Sequence, residues 1–327
     1  MTAFRLAHLS DVHLSLEGHV PFGALLSKRA VGFVSWNHRR RWVHRAEVLE
    51  ALVDDLRQQE VDHIVVTGDL VNLALPQEFT AASLWLKQLG SPHDVTVIPG
   101  NHDAYVPKAW RRGWALWQPF MSGDESSLGD PVSFPYIRER GPITLIGLST
   151  AVPTAPLLAS GRIGAHQLGR LREVLQSCVA RDSFRIVMMH HPPAINASAR
   201  HKRLRDGAQM RRLLETMGSE LVLSGHEHRF LFFSLAGPKR PIPAFCVPSA
   251  SHSNSQTGKS GGYAIYTIER KSDGDAGSRW RLQVEQRGLD LATGKPCRQS
   301  ILELVDTADQ RSLMLSPIQP ERSLEHA

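Results

Sequence analysis

Cysteine is scarce in this chain of 327 residues. Only Cys178, Cys246 and Cys297 occur, widely separated, which excludes both a disulfide framework and a thiolate zinc-finger set. A reducing compartment suits such a chain, and a cytoplasmic location is the expectation. Long apolar runs are missing as well: none approaches the ~20 residues of a membrane-spanning helix. The opening stretch, MTAFRLAHLSDVHL, has no basic segment followed by an apolar core and so does not read as a secretory leader. No internal repeat or low-complexity tract stands out. Lys and Arg number 38 against 32 Asp and Glu, a net +6, an excess too small by itself to identify a partner.

What the chain does have is alternation. Short β-like runs (FRLAHLS at 4–10, DHIVVTG at 62–68, VTVI at 95–98) are separated by helical patterns at about 42–59 and 76–89. In the first of these helices Val43, Ala46, Val48, Leu49, Leu52, Val53 and Leu56 form one apolar stripe. The second half repeats the theme with strands at 142–150, 184–191 and 220–228 and helices near 165–180 and 208–217, and then turns to four strand-like runs without long helices between them. This predicts an α/β fold with two packed sheets and helices outside, in one domain over residues 1–290. The loop at 269–280 reads as a hairpin connection, and residues 291–327 as a peripheral or partly disordered tail.

Five of the strand-like runs end in residues of the types that bind metals. They deliver Asp11 and His13, then Asp69, then Asn101 and His102, then His190, then His226 and His228. Each short motif alone is weak; the repeated position at strand ends is the signal, because ligands of open α/β sheets bind beyond the carboxyl ends of the strands. Oxygen and imidazole donors without thiolates suit divalent Zn, Mn, Fe or similar ions.

These blocks, SDVH, TGDLVN, GNHD, MHHPP and SGHEH, resemble in order and spacing the signature of the calcineurin-like metallophosphoesterases. The resemblance implies a four-layer αββα sandwich of two mixed sheets flanked by helices, holding two divalent ions about 3.5–4 Å apart. Carried over position by position, it implies Asp11, His13 and His228 as ligands of one ion, Asn101, His190 and His226 of the other, and Asp69 between them. It further implies hydrolysis by a metal-bound hydroxide, with His102 contacting the phosphate or protonating the leaving oxygen. Asp103 is expected in a catalytic role, orienting His102 or fixing its loop. Asn101, His102 and His191 are expected on the substrate side.

Three segments that follow motif strands, 28–45, 105–118 and 195–212, hold fifteen Lys or Arg against one acid, Asp206, leaving the rest of the chain at −8. A positive rim around the site would concentrate a small anionic phosphoester. Trp36, Trp42, Trp110, Trp114 and Trp117 lie in the same segments, a mixture suited to stacking on a base or to a lipid headgroup boundary. The insert at 15–41 is therefore a candidate substrate lid, with membrane-surface or lipid contact as a second role. A cyclic nucleotide or similar small phosphodiester is the expected substrate. The alternative is pyrophosphate cleavage on a nucleotide-linked lipid of the UDP-diacylglucosamine type. A nucleic acid partner is not expected, because little chain remains for a capping domain, and a metal-free binding scaffold is disfavoured by the intact motifs. Composition and pattern do not bear on the oligomeric state.

Overall fold

The structure is a computed structural model describing residues 3–16, 18–107, 113–127, 131–179, 183–254, 259–271, 279–290, 292–306 and 313–318. Two sheets dominate it. The first has seven strands in the order Leu313–Pro317, Pro296–Asp306, Trp280–Leu289, Gly262–Arg270, Phe4–Leu9, His63–Val66, Val95–Val97. The second has six, Tyr136–Arg140, Ile143–Gly147, Phe184–Met188, Leu221–Ser224, Ile242–Cys246, Leu231–Leu235. Both are mixed. Phe4–Leu9, His63–Val66 and Val95–Val97 run parallel, as do Ile143–Gly147, Phe184–Met188, Leu221–Ser224 and Ile242–Cys246; an antiparallel strand adjoins the first set on one side and the second set on both.

Period-two alternation decides which side chains meet. Leu145 and Ile186 of the second sheet join Leu6, Val65 and Tyr266 of the first in one buried core. Their neighbours Ile146 and Val187 point the other way, against Leu171, Leu175, Met210 and Leu214 of the helices Ala165–Val179 and Gly207–Met217. Cross-sheet aromatic contacts, Phe245 with Tyr266 and Phe184 with Trp280, each 5.4 Å between ring centroids, tie the layers together. The helices Ala46–Arg57 and Pro76–Leu89 contribute Leu52, Leu56, Phe79 and Leu86 to the core that includes the first sheet. The result is the expected αββα arrangement. No helix is long and apolar enough to cross a membrane among the described residues.

Two expectations of chain organisation change. Residues 296–306 and 313–317, read from sequence as part of a tail, form the two outermost strands at one side of the first sheet, paired antiparallel with their neighbours; residues 319–327 lie outside the described residues. The helix expected over 42–59 is also broken. A helical stretch runs from Arg29 to Ser35, continues through a wider turn at Trp36–Arg40 and ends at Val43. His44 and Arg45 are extended (φ −92°, ψ 111° and φ −117°, ψ 128°) before the helix Ala46–Arg57 begins. That break turns His44 away from the apolar stripe. The insert at 15–41 is thus largely helical, not an open loop.

Candidate metal centre

The parallel strands bring their carboxyl ends to one end of the sandwich, and each hands over to a tight loop. Asp11, His13, Asp69, His226 and His228 all adopt left-handed backbone, with φ of 51°, 40°, 57°, 74° and 52°. Such a conformation costs a residue with a Cβ on the order of 1–3 kcal/mol, and it persists only where surrounding bonds determine it. Here they do: Asp11 N donates to Gly68 O (2.9 Å), His13 N to Asp69 O (3.0 Å) and Gly225 N to His190 O (3.0 Å). Close approach also explains two motif glycines. A Cβ on Gly225 would strike Ser10 Oγ and Asp11 Oδ2, and one on Gly100 would strike Asp69 Oδ1.

The side chains converge around Asp69. Its Oδ2 lies 3.4 Å from His190 Nε2 and 3.8 Å from His13 Nε2, so one oxygen stands between imidazoles from different sheets. Asp11 Oδ1 lies 3.1 Å from His228 Nε2 and 4.0 Å from His190 Nε2, and His190 Nε2 is 3.2 Å from Asn101 Oδ1. His226 stacks edge-on against His190, at 5.1 Å between centroids. Outer hydrogen bonds aim these rings inward: His190 Nδ1–H donates to Thr67 O (2.7 Å) and His13 Nδ1–H to Val71 O (3.3 Å), leaving each Nε2 to face the pocket.

Burial alone would raise the Asp69 and Asp11 carboxyls, but their imidazole neighbours, His190 for Asp69 and His228 for Asp11, hold both below the usual carboxylate value. Burial opposes a charge on His190, yet Asp69 and Asp11 raise it to about 10. His13 is driven well below its ordinary value, by burial first and then by His44.

Three residues expected at the reaction centre have specific partners. Asp103 is fully buried and accepts backbone N–H bonds from Gly100 (2.8 Å), Asp69 (2.8 Å), Leu70 (2.9 Å) and Val71 (3.2 Å). Its carboxylate therefore clamps two motif loops together and contacts no His102 ring nitrogen. His191 is likewise enclosed: Nε2–H donates to Ala159 O (3.0 Å) and Nδ1 accepts from Thr150 Oγ1 (2.7 Å), which removes both nitrogens from a substrate. Its ring packs 4.3 Å from that of His226 and props it. His102 packs edge-on against His13, at 5.0 Å between centroids, and both its nitrogens are engaged as well. Its Nδ1–H donates to Asn72 O (2.6 Å), and Nε2 accepts from Arg40 Nη1 (2.8 Å).

Arg40 and His44 were not singled out by the sequence motifs. Both come from the helical insert and its end, on a spacing of four that includes Lys28, Gly32 and Trp36. Lys28 Nζ caps the Tyr105 ring at 4.4 Å, and that ring stacks on His102 at 5.3 Å. Gly32 sits where a Cβ would collide with Tyr105. The fourfold spacing was the available signal; it was obscured because the segment also reads as a basic lid. The tryptophans behave differently from the expected stacking surface. Trp114 and Trp117 are core residues, donating Nε1–H to Asp103 O (3.1 Å) and Phe79 O (3.0 Å). Trp36 is half-buried against the core and Trp42 is exposed; Trp110 lies outside the described residues.

The donor set fits divalent ions. His13, His44 and His228 place ligand atoms within 4.8 Å of one another, and so do Asp11, Asp69 and His190. Asp11 Oδ1 and His226 Nε2 are buried with no hydrogen-bond partner, the condition of atoms that await a cation.

The sequence profile of the calcineurin-like phosphoesterases matches residues 4–230. The chain belongs to that family. It is 27% identical over 227 residues to the glycerophosphodiester phosphodiesterase GpdQ of Enterobacter lignolyticus, covering 68% of this chain and 70% of that one. It is equally similar, 27% over 228 residues, to a probable cyclic nucleotide phosphodiesterase of Synechococcus, covering 68% and 73%. Among solved structures, a dimetal phosphatase from Danio rerio superposes with a TM-score of 0.57 at 14% identity, covering 90% of this chain and 98% of that one. A purple acid phosphatase from yellow lupin gives 0.58 at 13%, covering 91% of this chain, which spans 53% of that protein. These structural likenesses concern the fold. As a member of the family, this calcineurin-like protein is a phosphoester hydrolase whose class of enzyme uses divalent metal ions.

Proposed function

We propose that the protein hydrolyses a small phosphodiester, a cyclic nucleotide or a similar diester, with two divalent ions such as Mn, Fe or Zn held around Asp69. The observation that carries this reading is the pair of donor clusters side by side at the sheet ends, His13, His44 and His228 beside Asp11, Asp69 and His190. That both curated relatives bear phosphodiesterase names supports the substrate class. When bound, the ions would supply a nucleophile from water near neutral pH and offset charge on the phosphoryl oxygens.

The chain's own residues supply the rest. Asp11, His13, Asp69, Asn101, His190, His226 and His228 hold the ions. Arg40 forms no ion pair with a carboxylate among the described residues, and its Nη1 meets His102 at the pocket; it binds a phosphoryl oxygen of the substrate. Because Nδ1–H of His102 is pinned to Asn72 O and Nε2 accepts from Arg40, His102 holds the guanidinium in place, and it reaches a leaving oxygen only through Nε2 once Arg40 has turned to the substrate and Nε2 has taken up a proton. Asp103 positions these groups by holding the Asp69 and Asn101 loops in register.

A second reading is favoured by one feature. Of eleven exposed large apolar side chains among the described residues, five (Phe22, Leu26, Val31, Val34 and Trp42) lie between residues 22 and 42. With the exposed Arg39 and Arg41 beside them, they suit a lipid surface, and hence a lipid-bearing pyrophosphate substrate. Assays of bis-p-nitrophenyl phosphate, cyclic nucleotides, glycerophosphodiesters, phosphomonoesters and a nucleotide-linked lipid, with added Mn, separate the readings. Turnover of soluble diesters without detergent is expected. Turnover of the lipid alone, dependent on vesicles, would transfer the assignment to the second reading, and turnover of monoesters alone would contradict both.

A further inference from the structure

We propose that His44, delivered by the end of the helical insert, is a direct ligand of the metal ion that His13 and His228 face. The proposal rests on the two-metal reading above and extends it to a residue outside the five strand-end motifs.

Geometry argues for it from three directions. His44 offers a ligand atom within 4.8 Å of those of His13 and His228, a cluster of three imidazoles. Its ring centroid is 4.4 Å from that of His13 and 5.6 Å from that of His228. Its tautomer is suitable: Nδ1 stands 2.9 Å from Ser251 Oγ, and with the proton there the Nε2 lone pair is left for an ion. Ser249 completes the support, since its Oγ donates to Asp11 O (2.6 Å) and lies 3.4 Å from the same His44 nitrogen. One pair of serines thus connects His44 to the backbone of another pocket residue.

The local chain path has the same consequence. Extended geometry at His44 and Arg45 interrupts what the apolar stripe would continue as helix, and the backbone instead bridges to the loop after Ile242–Cys246, with Arg45 N donating to Ser251 O (2.8 Å) and His44 opposite His252. A helix continued through His44 would lose this anchor. The ring is 9% exposed among other imidazoles, and no carboxylate within ion-pair distance of it occurs among the described residues.

With His44 included, the ion that His13, His228 and Asp11 face gains a third imidazole beside its carboxylate.

The test uses the full chain, stripped with chelator and titrated with Co(II), read by visible absorption and by metal analysis after gel filtration. Wild type is expected to hold two ions. His44→Ala should weaken one of them roughly 10–100-fold or more and alter its absorption band, and Ser251→Ala should produce a smaller loss of the same kind. Millimolar imidazole should restore part of the band in His44→Ala, which a merely structural role would not allow. Thermal melting of the metal-free proteins monitors folding, and His44→Gln replaces the alanine variant if that one melts early. Two ions held with wild-type affinity and an unchanged spectrum in the variant would overturn the assignment while leaving the two-metal reading intact. A wild-type chain that takes up no ion would overturn both.

Discussion

The pocket is built by two regions of different construction: the five strand-end loops and the helical insert from Lys28 to His44. In the loops, backbone conformation places the chemistry. Asp11, His13, Asp69, His226 and His228 sit in left-handed φ at the ends of buried strands, and Asp103 holds two of the loops with four backbone hydrogen bonds. In the insert, the helical stretch with its wider turn carries Lys28 and Arg40, the extended residue at its end delivers His44, and Val31, Val34 and Trp42 are exposed. The loops are embedded in the core and leave little freedom, so they suit ions that must be gripped. The insert covers them from outside: its helical part, through Arg40, suits recognition of what the ions act on, and only His44 at its end joins the grip proposed above.

Substitutions in the two regions should therefore differ in kind. Asp69→Asn, in the loops, removes the carboxylate between the two imidazole groups; hydrolysis of bis-p-nitrophenyl phosphate should fall on the order of 10³-fold or more, with the circular dichroism spectrum unchanged. Arg40→Ala, in the insert, should lower kcat/KM about 10–100-fold, chiefly through KM, and leave metal content at the wild-type value. If Arg40→Ala instead lost its ions, the division between gripping loops and recognising insert would fail.

A third variant concerns the anchoring of the helix that follows the insert. Asp55 accepts from Arg287 (2.6 and 2.7 Å) and from Tyr263 Oη–H (2.7 Å). Burial opposes its ionisation, but Arg287 and Tyr263 hold its carboxyl below the ordinary 3.8. A depressed carboxylate stabilises the fold above its unfolded pKa, and that contribution is lost as pH falls below 3.8 through the lower folded value. Asp55→Asn should thus lower the denaturation midpoint at neutral pH, and the gap from wild type should close in acid. The smallest effect belongs to Trp42, which is 62% exposed: Trp42→Ala should change stability by within about 0.5 kcal/mol in denaturant titrations, while weakening binding to anionic vesicles if the lipid reading holds.

The same contrast explains what could be read in advance. The strand ends were legible because period-two apolar runs stop abruptly at Ser10, Gly68, Pro99, Met189 and Gly225 and are followed at once by donors; the sandwich followed from the alternation of strands and helices. His44 was not, since its place depends on a break in the helix where the chain pairs with the Ser251–His252 loop, and Arg40 was not, since its segment also reads as a basic lid. Asp103 and His191 look like active groups beside motif residues, and only the hydrogen bonds to backbone, Thr150 and Ala159 reveal that they are braces. The strand Pro296–Asp306, second from the sheet edge, was hidden for another reason: its described residues are half-buried or exposed, so burial does not impose a clear alternation on their side chains.

The central claim is that residues from five separate loops grip two ions on either side of Asp69. Anomalous diffraction from crystals of the full chain grown with Mn or Zn tests it most directly. Two anomalous peaks are predicted, one on the His13 and His228 side of Asp69 and one on the Asn101 and His190 side. A pocket without either peak, in a protein that still hydrolyses phosphodiesters after chelation, would contradict it.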